Sequence, residues 1–178
     1  MRNVNQTGFA MLYIYNMTKE TKPIKRSEQL APLSREHHDG LLFAWKIKQG
    51  LELKASPDAM RKYAQWYWRQ HIRPHFFQEE KILMPYMPAD HPMAKRLKEE
   101  HDHIRELIIE LDEEADRRHL LLLCDLITQH IRFEERELFG YLEELLTPDE
   151  LNKVHAQLEE HPVSCEEEWP DEFWVKKD

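Results

Sequence analysis

Apolar residues recur every three or four positions along most of the chain, and Pro, Gly and Ser punctuate the recurrence. Such spacing lines one face of an α-helix, whereas a half-buried strand would alternate. From Pro32, the stretch PLSREHHDGLLFAWKIKQG predicts a first helix closing at Gly50. Ser56 as N-cap and Pro57 at the first helical position predict a second, running to about Met84. Pro74 stands inside it and is expected to kink it, because proline removes a backbone donor and crowds the preceding turn. After the breaks in MPYMPADHP, a third helix is expected from Pro92 to about Ala115. EADRRH connects it to a fourth, LLLLCDLITQHIRFEERELFGYLEELL, and Thr147-Pro148 starts a shorter fifth that ends near Glu160. Four long helices on short connections predict an all-α, up-down-up-down four-helix bundle.

The bundle occupies residues 32–160. Residues 1–31 read as an arm or linker, with the apolar GFAMLYIY lacking helical spacing and TKETKPIKRSEQ charged. That segment is either a strand-like arm docking on the body or an extension upstream of a start at Met17. The tail, residues 161–178, carries Trp169, Phe173 and Trp174, which are expected to lie back on the bundle. A length of 178 residues with only 4 Gly and 33% charged residues fits one helical domain with a real core. The net charge of −9 disfavours a sequence-independent grip on nucleic acid, which needs a basic face. No apolar run approaches the ~20 residues of a membrane helix. Cys124 and Cys165 cannot make a disulfide framework, and Cys124 reads as a small buried apolar residue. The expected compartment is a reducing cytoplasm.

The chemistry lies in a sentence written twice. HFFQEEKILMPYM begins at His75, and HIRFEERELFGYL begins at His130, 55 positions later (130 − 75). Residues four apart on a helix share a face, about 40° apart, so His75 points with Glu79 and His130 with Glu134. Ile82 and Tyr86 lie within about 20° of His75, and Leu123, Leu126 and Tyr141 stand similarly to His130, so both pairs face the core. Glu80 and Glu135 sit about 100° further round and are expected to face solvent or neighbouring basic residues. Buried carboxylates and imidazoles are costly unless a cation neutralises and coordinates them.

The other two helices each offer one more imidazole. Leu97, Ile104, Ile108 and Leu111 lie on the His101 side of the third helix, while His103 projects about 160° away. On the first helix, the stripe Leu33, Leu41, Ala44, Ile47 and Leu51 centres about 30° from His37 and about 130° from His38. His37 is therefore the expected ligand; His38 remains an alternative, because a one-residue shift is easy at a helix start. The expected metal ligands are His37, His75, Glu79, His101, His130 and Glu134. A lone inward histidine is more often a satisfied core residue, and one His-x-x-x-Glu is weak: His155 and Glu159 form another, read as a surface pair. Two equivalent pairs on apolar faces, each preceded by Glu-His on a separate helix, point to metal. Nitrogen and carboxylate donors without thiolate suit iron, manganese or zinc. Six ligands exceed the needs of one tetrahedral zinc, whereas two metals bridged by the two glutamates use all six.

With REHH, HFFQEEKILMP, EEHDHIRELI and HIRFEERELFGYL in that order, the chain resembles the hemerythrin-like, or HHE cation-binding, family over about residues 32–146. The resemblance implies two iron ions bridged by Glu79, Glu134 and a solvent-derived oxygen. It implies a small diatomic partner, oxygen or nitric oxide, or peroxide, with no call for nucleic acid or membrane. Two departures argue against reversible oxygen carriage. Arg105 stands where the carriers have a second third-helix histidine, and Glu134 is four residues after its histidine, where they have an aspartate five after. His71, one turn before His75, is a further candidate ligand. Arg105 is expected either to bend towards solvent or to reach inward to a carboxylate or a bound anion. The leading reading is binding or sensing of oxygen, nitric oxide or iron. A di-iron redox enzyme (peroxide or nitric oxide chemistry, or iron-sulfur repair) and a structural zinc protein that engages a protein partner are the alternatives.

Overall fold

Proline opens most of the helices. Pro32, Pro57, Pro92 and Pro148 each stand in a first turn, where the missing N–H would find no helical partner. The computed structural model describes residues 25–113, 116–163 and 169–176; the GFAMLYIY segment, Met17, Ala115 and Cys165 fall outside them. The first rod is α1 (Ala31–Glu52). The second is continuous from α2 (Pro57–Tyr67) through a π turn (Trp68–Ile72), α3 (Arg73–Gln78), a second π turn (Glu79–Leu83) and a 3-10 turn (Met84–Tyr86). The third is α4 (Pro92–Glu113), and the fourth is α5 (Arg117–Phe133), a π turn (Glu134–Leu138) and α6 (Phe139–Leu145). A final helix, α7 (Pro148–Glu160), begins with a capping box between Thr147 and Glu150. The described residues contain no strand.

The rods alternate in direction. Gly40 lies against Ile131, Lys48 pairs with Asp125, and Arg117 donates to the Leu51 carbonyl, so α1 runs antiparallel to α5. Arg61 pairs with Asp112 and Gln65 donates to the Ile108 carbonyl, which sets α2 antiparallel to α4. Two apolar clusters fill the interior. One holds Phe43, Tyr63, Ile108 and Leu123; the other holds Leu33, Leu83, Leu97 and Leu142. Buried His37, His75, Glu79, His101, His130 and Glu134 form a polar layer at the level where the clusters meet.

Pro74 does not break the second rod. The chain widens into a π turn just before it, and Arg73 N–H donates to the carbonyl of Trp68, five residues back. The wider turn relieves the crowding that the proline ring imposes on the preceding turn. The other two π turns begin at Glu79 and Glu134, whose carbonyls accept from Met84 and Phe139. Each holds one residue more than an α turn and shifts the helical phase beyond it. Tyr86 and Tyr141, expected on the core face, are therefore only partly buried, and Met87 and Leu142 take the buried positions. On α1, Leu41 is exposed and Phe43 is buried in its place.

Gly50 does not close α1, which continues to Glu52; Lys54 makes the left-handed turn at φ 59°. Gly50 serves the tail instead. A Cβ there would lie 2.5 Å from a ring carbon of Phe173, which is buried in the first cluster. Trp169 and Trp174 flank it, with ring centroids 5.6 and 5.4 Å from Tyr63. Ser56 occupies the N-cap position of α2 without a side-chain hydrogen bond. Gly50→Ala should displace Phe173 and cost ~1–3 kcal/mol of stability. A double-mutant cycle in chemical denaturation checks this: in a Phe173→Ala background most of that cost should vanish.

Candidate metal centre

Four imidazoles and two carboxylates converge in the polar layer. Each His–Glu pair on the second and fourth rods spans one α turn immediately before a π turn, so the two side chains share a face. The His37 and His75 Nε2 atoms are 3.1 Å apart, and those of His101 and His130 are 3.2 Å apart. Cis ligands on one metal, each at about 2.1 Å, stand roughly 3 Å apart. Glu79 Oε1 lies 3.2 Å from His75 Nε2, and its Oε2 lies 3.1 Å from His101 Nε2. Glu134 mirrors it, with Oε1 3.2 Å from His130 Nε2 and Oε2 3.0 Å from His37 Nε2. Each carboxylate thus spreads its oxygens over both imidazole pairs. Two four-donor groups result: His37, His75, Glu79 and Glu134 make one, and Glu79, His101, His130 and Glu134 make the other.

All four carboxylate oxygens are buried, and although imidazole nitrogens stand close, none is aligned as a hydrogen-bond partner. Orphaned buried carboxylate oxygens are costly, and two bridged cations would satisfy all four. The donor set fits. Each metal position would receive two nitrogens and two oxygens, which leaves room for further ligands on iron or manganese.

Every candidate ligand histidine is oriented from behind. Its Nδ1 meets a second carboxylate: Glu135 for His37 at 2.7 Å, Glu36 for His75 at 2.6 Å, Glu80 for His101 at 2.7 Å and Glu100 for His130 at 2.9 Å. Such a partner selects the tautomer that leaves Nε2 free for a metal. Three of the outer carboxylates are themselves held. Arg26 and Ser34 bind Glu135, Arg96 binds Glu100, and Arg105 binds Glu80. Phe76 stacks on His101 at 3.5 Å, and Phe139 lies parallel to His37 at 5.2 Å.

Glu80 and Glu135 meet basic residues as expected, Arg105 and Arg26, but each also reaches the rear of an imidazole on an adjacent rod, which was not expected. The available signal was the doublet itself, since each outer glutamate directly adjoins a ligand in Glu36-His37, Glu79-Glu80, Glu100-His101 and Glu134-Glu135. His38 is on the surface beside Asp39, its side chain 80% exposed. His71 lies outside both donor groups, stacked on Tyr67 at 4.4 Å. Arg105 reaches a carboxylate as well as solvent, but the carboxylate is that of Glu80, behind His101. His103 is exposed, and His155 stands 3.6 Å from Glu159 at the surface. Cys124 is buried, which pushes its thiol up to about 12 and keeps it unreactive.

The family model of the hemerythrin HHE cation binding domain matches residues 29–142. The chain belongs to that family. No curated protein and no solved structure matches it. The matched span of this hemerythrin domain contains all six inward histidines and glutamates and all four outer glutamates, and the buried groups fit a metal site.

Without metal, the ligands neutralise one another. Burial disfavours the charge on His75, but the Glu79 and Glu36 carboxylates outweigh it and raise the imidazole to about 10. Burial likewise opposes the charge on Glu79, and the surrounding imidazoles hold it well below the usual carboxylate range. A raised histidine stabilises the metal-free fold fully below its unfolded value of about 6.5, and that stability is lost as pH rises through about 10. Metal must displace the same proton, so uptake by the hemerythrin domain near pH 7 should acidify a weakly buffered solution, and affinity should climb with pH. A pH indicator during metal titration checks both. Glu79→Ala or Glu134→Ala should lose most of the metal, whereas Glu80→Ala should retain it with ~10–100-fold weaker affinity. His38→Ala should bind as the parent protein does, and elemental analysis ranks the set.

Proposed function

We propose that this hemerythrin domain carries two iron ions bridged by Glu79 and Glu134 and uses them to bind or sense oxygen or nitric oxide. The observation that carries the reading is the pair of buried carboxylates, each facing both histidine pairs, beside a cavity of about 230 Å³. His37, His75 and His130 line that cavity together with Ile72, Ile104 and Ile127. A small ligand arriving there would stand beside three of the four inward imidazoles. When bound, iron supplies an electron-rich, exchangeable coordination position for a small diatomic ligand.

The chain's own residues supply geometry. Glu36, Glu80, Glu100 and Glu135 fix the imidazole rings, and Phe76 covers the face of His101. Ile72, Ile104, Ile127 and Ile131 give that approach an apolar part to its lining. Arg105 is engaged by Glu80 and Asp102, which supports a role in holding His101 rather than in contacting a bound anion.

Protein produced with ample iron should contain close to two iron ions per chain, and the metal-free form should take up ferrous iron without oxygen. Iron well below one per chain in both preparations would overturn the reading. In stopped-flow spectroscopy, a long-lived, reversible absorption change with oxygen or nitric oxide is expected. Rapid consumption of peroxide or nitric oxide would favour an enzyme instead, and stoichiometric zinc without iron would favour a structural role.

A further inference from the structure

The four outer carboxylates are alike in front and unlike behind. Glu135, Glu80 and Glu100 each meet an arginine as well as an Nδ1, namely Arg26, Arg105 and Arg96. Glu36 meets His75 Nδ1 at 2.6 Å, yet among the described residues no arginine or lysine pairs with it. The sequence gives a local reason. Arg96 reaches Glu100 from four residues earlier on the same helix, whereas four residues before Glu36 stands Pro32, which opens α1 and carries no charge. Arg35 adjoins Glu36 in the chain, but successive helical residues point about 100° apart, and Arg35 is exposed.

Where the other three meet an arginine, Glu36 lines a cavity of about 450 Å³ between α1, the second rod and α7. Asp39 and Glu159 line it too, so three carboxylates stand there against the guanidinium of Arg35 and the imidazole of His155. Gln78 is part of the same wall and only 1% exposed. Its amide nitrogen donates to the His161 carbonyl at 2.8 Å, while its Oε1 is buried without a donor. A buried acceptor left unmet costs about as much as a lost hydrogen bond.

We propose that this cavity binds a small organic cation with a guanidinium or primary ammonium head, which pairs with Glu36 as Arg26, Arg96 and Arg105 pair with the other outer carboxylates. Such a head brings several N–H donors and one positive charge, which suits a carboxylate and an amide oxygen together. Asp39 and Glu159 add to the attraction. A bare metal ion is a poorer match, because no three donor groups of this cavity lie close enough to share one. Since Glu36 also receives His75 Nδ1, occupancy of the cavity is felt at that imidazole.

Calorimetric titration of the metal-free full chain at low salt compares free arginine with citrulline, which keeps the shape and replaces the guanidinium by an uncharged urea group. Arginine should bind with a Kd of about 1 mM or tighter, and citrulline ~10-fold or more weakly. Glu36→Gln should weaken arginine binding by ~10-fold as well. Pro32→Arg supplies a guanidinium from the position that Arg96 holds before Glu100, so it should fold and lose most of its response to arginine. If Glu36→Gln does not fold, Pro32→Arg decides alone. In nitrogen-15 NMR, the ring signals of His75 should move with arginine and stay in place with citrulline. Equal binding of arginine and citrulline, no binding of either arginine or methylammonium, or arginine binding unchanged in the variants would overturn the proposal. So would arginine binding that leaves His75 unmoved, since the cation would then sit elsewhere. Every arm uses metal-free protein, so the outcome is separate from which metal or gas the centre takes.

Discussion

Two glutamates with all four oxygens buried and without an aligned hydrogen-bond donor set the terms for the whole bundle. A carboxylate stripped of water is tolerable only beside compensating charge, and here it comes from imidazoles on every rod. Each rod must therefore place its histidine at the same level of the bundle. That requirement divides the apolar interior into two clusters, one on either side of the polar layer. Packing then secures what electrostatics demands: Gly40 brings α1 close against Ile131, and Phe76 and Phe139 flank two of the rings.

Orientation is carried outward in layers. The bridging carboxylates meet imidazoles, the imidazoles meet outer carboxylates, and three of those meet Arg26, Arg96 and Arg105. Charges alternate along each chain, and each member restricts the next. Burial falls along two of these paths: Glu79 and Glu134 are fully buried, the outer carboxylates are partly exposed, and Arg96 and Arg105 are more exposed still, whereas Arg26 is itself buried. Arg96 and Arg105 thus anchor the inner geometry where they still keep contact with water, and Arg26 does so from within the fold. Arg26, just ahead of α1, clamps Glu135 and Glu143 together, which ties the chain entering the bundle to the ring of His37.

The sequence made much of this legible. Helical spacing shows which faces are apolar, and the repeated His-x-x-x-Glu on those faces shows where carboxylates turn inward. His37 could be separated from His38 because the two project about 100° apart. The π turns were not legible, since widening by one residue leaves no mark in composition. Their effect appears only downstream, where Met87 and Leu142 replace Tyr86 and Tyr141 in the core. The outer glutamates were visible as residues but not as partners, because their targets lie on other rods and depend on how the rods are set side by side. Gly50 read as a helix end because its reason for being glycine, the ring of Phe173, comes from more than a hundred residues later (173 − 50 = 123).

The cavity breaks a symmetry that the ligands keep. His37 and His75 correspond to His101 and His130 in distances, bridges and outer partners, so the donor set alone would make the two metal positions interchangeable. Yet His37, His75 and His130 line the cavity while His101 lies under Phe76. One position turns both its imidazoles to the cavity, the other only His130. A pair of ions in such a frame would be twins in composition and unlike in circumstance.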